Sequence, residues 1–318
     1  MTLYAATQAH TVPALQPSTT VSALLAAVHR QPRLSSSCEA FDELLTPTTA
    51  TQTRGLALGS LLELIGPPGA AKSRVCLGFV LAERFRQVAQ GTPKQGQVLV
   101  LDAEGSLLPN LLRETAELFA EHHGHGPEAA RQACDGMHYR RIYDVSLLVA
   151  CLYSLPSWLD ENSGVCIGFV TLSKQKAQLI KLIGQVQLIV LDALTSQLQP
   201  TSLDHKTRNF IFELIKSTLT LITSQHNVAV ILTSNTSLKL YTPDGAPCGF
   251  SVEAEALLTP QLGTSWIPQS VSSYRVVLYF DDDGERHAHL LSATTSTRVK
   301  QAAFTVDALG PCDHPSKA

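Results

Sequence analysis

From residue 61 onward, short apolar runs of strand length alternate with longer amphipathic segments. The runs at 61–65, 98–102, 138–142, 188–192 and 228–233 read as strands. The segments 73–90, 107–122, 145–159, 174–184 and 205–224 read as the helices between them. Strands that are apolar throughout are covered on both faces, so the pattern predicts an α/β fold with a mostly parallel central sheet and helices on both sides. Residues 165–170 are a further strand candidate. Past residue 270 the pattern changes: 274–280 and 287–292 flank Asp281-Asp282-Asp283-Gly284, turn chemistry that predicts a C-terminal antiparallel hairpin.

Residues 1–20 carry no acidic residue, lysine or arginine and are rich in Thr, Ala, Pro and Gln, a composition that does not predict packing. Residues 21–30 have the pattern of one short helix. Ser35-Ser36-Ser37 then leads into Phe41-Asp42-Glu43-Leu44-Leu45, and 46–55 is a polar stretch. The expected division is an N-terminal segment (1–33), one core (34–313) and a short tail (314–318).

Composition narrows the setting. With 318 residues, 44% of them hydrophobic, the chain can bury one large core without disulfides. Its seven cysteines are scattered, with no Cys-x-x-Cys pair and no histidines at zinc spacing, and they read as reduced thiols of a nuclear or cytoplasmic protein. No run approaches the roughly 18 apolar residues that a membrane span needs, so no membrane partner is expected. A net charge of −3 argues against unaided nucleic-acid binding, which usually draws on a basic surface that releases counterions.

One segment carries recognisable chemistry. Gly66-Pro67-Pro68-Gly69-Ala70-Ala71-Lys72-Ser73 follows an expected strand and opens an expected helix, the setting of a phosphate-binding loop. Backbone N–H groups would cradle the phosphates of ATP, Lys72 would reach the β and γ phosphates, and the Ser73 hydroxyl would hold Mg²⁺. A Gly/Pro-rich turn with a chance Lys-Ser is the other account. The pattern normally has glycine before the lysine, and here Ala71 stands there. If that position needs a positive φ, its Cβ costs about 1 kcal/mol and crowds the phosphate.

Three strand ends supply further candidates. Asp192 ends an apolar strand and either holds the water shell of Mg²⁺ or caps a turn. Glu104, in Asp102-Ala103-Glu104-Gly105, either orients the attacking water or is a solvated acid. Asn235 either senses the γ-phosphate or caps its strand. His122, His123 and His125, set among Gly124 and Gly126, read as a polar loop, since no acid or cysteine falls at ligand spacing.

In order and spacing, these pieces resemble the RecA-like recombinase family, and more closely the eukaryotic strand-exchange recombinase and its paralogs. The resemblance runs from about Ser35 to Asp313. It is carried by Phe41-Asp42-Glu43-Leu44-Leu45, by Gly59-Ser60-Leu61-Leu62-Glu63-Leu64-Ile65-Gly66 entering the loop, and by Asp102-Ala103-Glu104-Gly105, similar to the family's Asp-Thr-Glu-Gly. Tyr139-Arg140-Arg141-Ile142-Tyr143, Leu262-Gly263-Thr264-Ser265-Trp266 and Ala302-Ala303-Phe304-Thr305-Val306 with Gly310 and Asp313 extend it. It implies a P-loop NTPase with a RecA-like core, Glu104 as the catalytic glutamate, and a nuclear role in DNA repair and recombination.

Departures from the family pattern shape the expectation. Thr236 stands where the recombinases carry a Gln that couples γ-phosphate to the DNA-facing loop. Residues 236–300 hold five basic against seven acidic residues, and 199–208 pairs Lys206 and Arg208 with Asp204. The resemblance therefore implies an ATP- and Mg²⁺-binding mediator rather than the strand exchanger. Its partners would be other recombinase paralogs or the main recombinase. Contact with single-stranded or junction DNA would be weak or made through the complex. A non-hydrolysing scaffold is the alternative, and a small-molecule kinase ranks last because the 24 Lys and Arg residues form no cluster.

Overall fold

The computed structural model describes residues 20–21, 32–50, 53–162, 186–198, 204–249, 254–262 and 271–314. Apart from Val21, the helix expected at 21–30 lies outside them, as do the helix expected at 174–184 and the strand expected at 165–170. In chain order the first half comprises β1 (Arg33–Leu34), α1 (Glu39–Leu44), β2 (Leu56–Ala57), β3 (Ser60–Ile65), α2 (Lys72–Ala89), β4 (Gln97–Asp102), α3 (Pro109–His122), α4 (Pro127–Asp135), β5 (Met137–Arg141) and α5 (Val145–Glu161). The second half comprises β6 (Val186–Asp192), α6 (His205–Gln225), β7 (Ala229–Ser234), β8 (Thr236–Tyr241), β9 (Glu255–Pro260), β10 (Ser272–Phe280), β11 (Arg286–Ala293), β12 (Gln301–Val306) and β13 (Pro311–Asp313).

Among these residues a 9-stranded sheet runs β13-β12-β11-β10-β3-β7-β6-β4-β5. Its members from β10 through β5 are parallel neighbours, and β10 to β13 continue it as antiparallel pairs. The central strands read as unbroken apolar runs because alternate residues face two different cores. Val98, Val100, Leu188, Val190, Ala229 and Ile231 pack with α1 to α4 on one face. Leu99, Leu101, Ile189, Leu191, Val230 and Leu232 pack with α5 and α6 on the other.

Strands and helices expected between 61 and 233 appear within about two residues of their places where those residues are described. α4 was not expected. It starts with a proline at its first turn after Gly126, a legible start signal, but its nine residues are short and weakly apolar. The polar loop expected around His122, His123 and His125 is the exposed connection 123–126 between α3 and α4, with His122 in the last turn of α3. His122 closes α3, the His123 ring lies 4.2 Å from Phe119, and that of His125 lies 5.6 Å from Phe85. Among the described residues no helix is long and apolar enough to cross a membrane.

Two buried polar anchors hold the periphery. Arg84, fully buried on α2, donates to the carbonyls of Ala133 (3.0 Å), Gln132 (3.1 Å), Gln95 (2.6 Å), Gly96 (3.1 Å) and Pro93 (2.6 Å), tying the end of α4 to the turn before β4. At the other end, Asp313 caps α1 from β13 by accepting the N–H groups of Ala40 (2.8 Å) and Glu39 (3.1 Å). Phe41 packs edge-on against Phe79 and Phe304, so the lead-in and the C-terminal strand close over α2 together.

Arg84→Met leaves those carbonyls without their donor, and urea unfolding should show a loss of about 3 kcal/mol. An unchanged midpoint would mean that water replaces the guanidinium. Burial also pushes the Asp42 carboxyl up to about 6, against the pull of the Ser35 hydroxyl and the Ser36 N–H. A carboxyl with a raised folded value binds more protons folded than unfolded, so its contribution favours the fold at low pH and is lost as pH rises from about 4 to about 6. Chemical denaturation of Asp42→Asn across that window should lack this component of the slope.

Candidate nucleotide-binding site

The loop from Gly66 to Ser73 joins the buried end of β3 to α2. The Gly66 N–H donates to the Ser234 carbonyl (3.2 Å), seating the loop against the end of β7. Pro67 and Ala70 close a turn (3.2 Å), Pro68 and Gly69 form its exposed tip, and Ala70 is buried beneath it. Gly69 (φ 85°) and Ala71 (φ 73°) are both left-handed, so Ala71 occupies a conformation that favours glycine. α5 and α6 are capped by carboxylates, Asp144 on the Leu147 N–H and Asp204 on the Thr207 N–H, whereas α2, like α3 and α4, has no capping side chain. The first-turn N–H groups of α2 and the positive end of its dipole lie at the phosphate-loop end of the helix, an arrangement that suits an anion.

Lys72 opens α2 and folds back on the loop, donating from Nζ to the carbonyls of Gly66 (2.7 Å) and Pro67 (3.1 Å). Burial lowers its pKa, and the carboxylates of Asp192 and Glu104 pull it back up, so both acids lie within electrostatic reach of the amine.

Asp192, 1% exposed at the end of β6, is held by hydroxyls. Oδ1 accepts from Thr233 (2.7 Å) and Ser73 (3.1 Å), and Oδ2 accepts from Ser73 (3.0 Å) and Ser106. This all-oxygen set of one carboxylate and neighbouring hydroxyls matches the donors a hard cation such as Mg²⁺ selects. Thr233 also accepts the Ala193 N–H (2.6 Å), where the chain turns left-handed (φ 56°) away from β6.

Glu104 is exposed on the loop after β4, and Asp102 fixes that loop from below. The fully buried Asp102 accepts the N–H groups of Glu104 (3.0 Å), Gly105 (2.6 Å) and Leu107 (3.2 Å), the Tyr139 hydroxyl (3.1 Å) and Arg141 (3.0 Å). Burial and the Asp102 charge push the Tyr139 phenol up to about 12, so it stays a donor. Asn235 follows β7 directly; its carbonyl accepts the Gln261 N–H (3.1 Å), which brings the two ends of the β8–β9 excursion together beside the loop. Beneath them Ser234 donates to the buried Glu63 (2.7 Å), which pairs with Arg275 (2.6 Å), itself bonded to the Leu262 carbonyl (2.9 Å).

The parallel register thus gathers the phosphate loop, Lys72, Ser73, Asp192, the Glu104 loop and Asn235 along the carboxyl ends of β3, β7, β6 and β4. Asp102, Ser106 and Thr233 escaped the sequence reasoning. Asp102 was read only as the acid that ends its strand and starts the Glu104 motif, Ser106 lies two positions beyond Glu104, and Thr233 was read only as part of the polar end of its strand, not as a partner of Asp192. The histidines and the Asp281–Gly284 turn take no part. Among the described residues no group of three or more His, Cys, Asp or Glu could hold a metal alone.

Fold and site define a P-loop protein with a RecA-like core. No family model matches the chain. Over 257 residues it is 23% identical to a DNA repair protein RAD51 homolog 3 of Cricetulus griseus, covering 76% of this chain and 59% of that protein, so the chain spans less than two thirds of that relative's length. Sequence and fold agree in what the chain is similar to: a RecA-like recombinase paralog.

Because Ala71 sits at φ 73°, Ala71→Gly should raise the thermal midpoint by up to about 1 kcal/mol equivalent, less the backbone freedom that glycine adds to the unfolded chain. Ala71→Val, β-branched in the same conformation, should lower it. A gain of stability with Val would mean that the loop abandons the left-handed conformation.

Proposed function

We propose that this chain is an ATP-binding recombinase paralog that assists homologous recombination and DNA double-strand-break repair in the nucleus as one subunit of a mediator complex. The observation that carries the nucleotide part is the meeting of Ser73, the residue after Lys72, with Asp192 at the foot of an uncapped helix. The backbone of residues 66 to 73 and Lys72 would hold the phosphates, with Asn235 at the γ end, and Ser73 and Asp192 would hold Mg²⁺. Bound Mg²⁺ supplies neutralisation of charge on the β and γ phosphates. Glu104, on a loop whose backbone Asp102 holds, is the group that would take a proton from water.

The repair role rests on the likeness to the RAD51 homolog 3 of Cricetulus griseus. The subunit role is supported by the surface. Among the described residues β5 carries no strand on its outer side, and beside it lies a cavity of about 660 Å³ lined by Leu99, Leu101, Tyr139, Leu155 and Trp158. DNA contact would be weak or made through the complex, since the region from 236 to 300 is net acidic. A scaffold that binds nucleotide without turning it over is the second reading, favoured by the Cβ of Ala71 in a left-handed position and by Lys72 spending its amine on loop carbonyls.

Equilibrium binding of Mg·ATP to the wild type and to Lys72→Ala should show a weakening of about tenfold or more in the variant, the size expected for a lost charge-assisted contact. Turnover with and without single-stranded DNA separates the mediator from the scaffold. No binding by either protein, alone or with a paralog partner, overturns the nucleotide site.

A further inference from the structure

We propose that Ser106 is a cation-positioning residue, a second hydroxyl that with Ser73 and Asp192 builds the Mg²⁺ site and thereby ties the Glu104 loop to bound nucleotide. The inference rests on the nucleotide-binding reading above and adds to it a residue outside the phosphate loop and outside the strand that ends in Asp192.

The geometry is specific. Ser106 Oγ contacts Asp192 Oδ2 and lies 3.1 Å from Ser73 Oγ, and Ser73 Oγ lies within 3.1 Å of both Asp192 oxygens. The three groups come from three separate stretches of chain and meet at the one place where α2, β6 and the loop after β4 converge. A hydroxyl has one proton and two lone pairs. Once the protons of Ser73 and Ser106 are committed to the carboxylate, their lone pairs remain as oxygen donors beside one negative charge. Mg²⁺ takes few protein ligands and keeps several waters, so it needs such a sparse set in which neutral oxygens orient the water shell.

Ser106 differs in this from Thr233, the other hydroxyl on Asp192. Thr233 is wholly buried and also accepts the Ala193 N–H, so its oxygen is spent on the sheet. Ser106 is only partly buried, on the side of Asp192 shared with Ser73. The loop that carries it is immobilised at Glu104, Gly105 and Leu107 by Asp102. A cation drawing on Ser106 would therefore fix the distance between itself and Glu104, two residues away, without any contact from Glu104.

The test is nucleotide affinity measured with and without a divalent cation, using fluorescent ADP, on the wild type, Ser106→Ala and Ser106→Thr, with Mn²⁺ bound in the presence of ADP counted by electron paramagnetic resonance. Ser106→Ala should weaken ADP by about tenfold in Mg²⁺ and by less than about twofold in EDTA, the size expected when an outer oxygen of a metal site is lost. Mn²⁺ affinity should fall in parallel, and Ser106→Thr should restore both. An equal loss in Mg²⁺ and in EDTA, or unchanged Mn²⁺ affinity, would show that Ser106 serves only to satisfy Asp192 and would overturn the proposal. If the wild type binds ADP in neither condition, alone or with a paralog partner, the underlying nucleotide reading fails instead, and the two failures are distinct.

Discussion

Asp192 is a carboxylate at the end of a fully buried apolar strand, 1% exposed, and among the described residues it is hydrogen-bonded by hydroxyls rather than by a cationic side chain. A charge in that position persists only when its oxygens are satisfied. Hydroxyls from three directions do so, and each belongs to an element that must be correctly placed: Ser73 to the start of α2, Thr233 to β7 and Ser106 to the loop after β4. The register of the parallel strands, the seat of the phosphate loop and the path of the chain beyond Asp102 all converge on this one group. Displacing any of them would strip this buried carboxylate of one of its hydroxyl donors, at about 1–3 kcal/mol.

Asp102 is its register partner on β4 and shows what makes Asp192 different. Both end apolar strands and both are buried. Asp102 is saturated by a phenol, a guanidinium and three backbone N–H groups, and the backbone donors cannot turn away without unmaking the loop. Asp192 is held by hydroxyls, which rotate about a single bond and can present lone pairs in place of protons. A ligand can therefore exchange into the shell of Asp192 but not into that of Asp102. The same strand-end chemistry yields a structural post in one case and an addressable site in the other, and the donors decide which.

This also explains how much could be read from residues alone. The central strands and the helices flanking them were legible because burial on both faces demands unbroken apolar runs, and the phosphate loop was legible because its glycines, Lys72 and Ser73 are contiguous. The short strands β1, β2 and β13 were not, since two or three residues carry no readable period, and the packing of Phe41 on Phe304 joins segments far apart in the chain. Asp102, Ser106 and Thr233 were missed because a residue's local sequence does not say whose carboxylate its hydroxyl meets, or which N–H groups its own carboxylate will receive. The pair Glu63 and Arg275 lies 212 positions apart, and only the parallel alignment of β3 with β10 brings it together.

The tension that remains within the site is between Ala71 and its surroundings. A non-glycine residue at φ 73° is strained by about 1 kcal/mol, and the fold tolerates it because the neighbouring contacts over-determine the turn: Gly66 is pinned to Ser234, Ala70 is buried, and Lys72 is bonded to two loop carbonyls. Those contacts also bear on nucleotide binding. They fix the loop backbone in advance, so on the proposed reading little ordering entropy would be lost on binding. Yet Lys72 must give up both carbonyls to reach a phosphate, and the Ala71 Cβ stands where backbone would approach it. The loop is thus fixed in shape but compensated in charge by its own carbonyls. A partner subunit that supplied a further cation would change that balance without altering a residue of this chain.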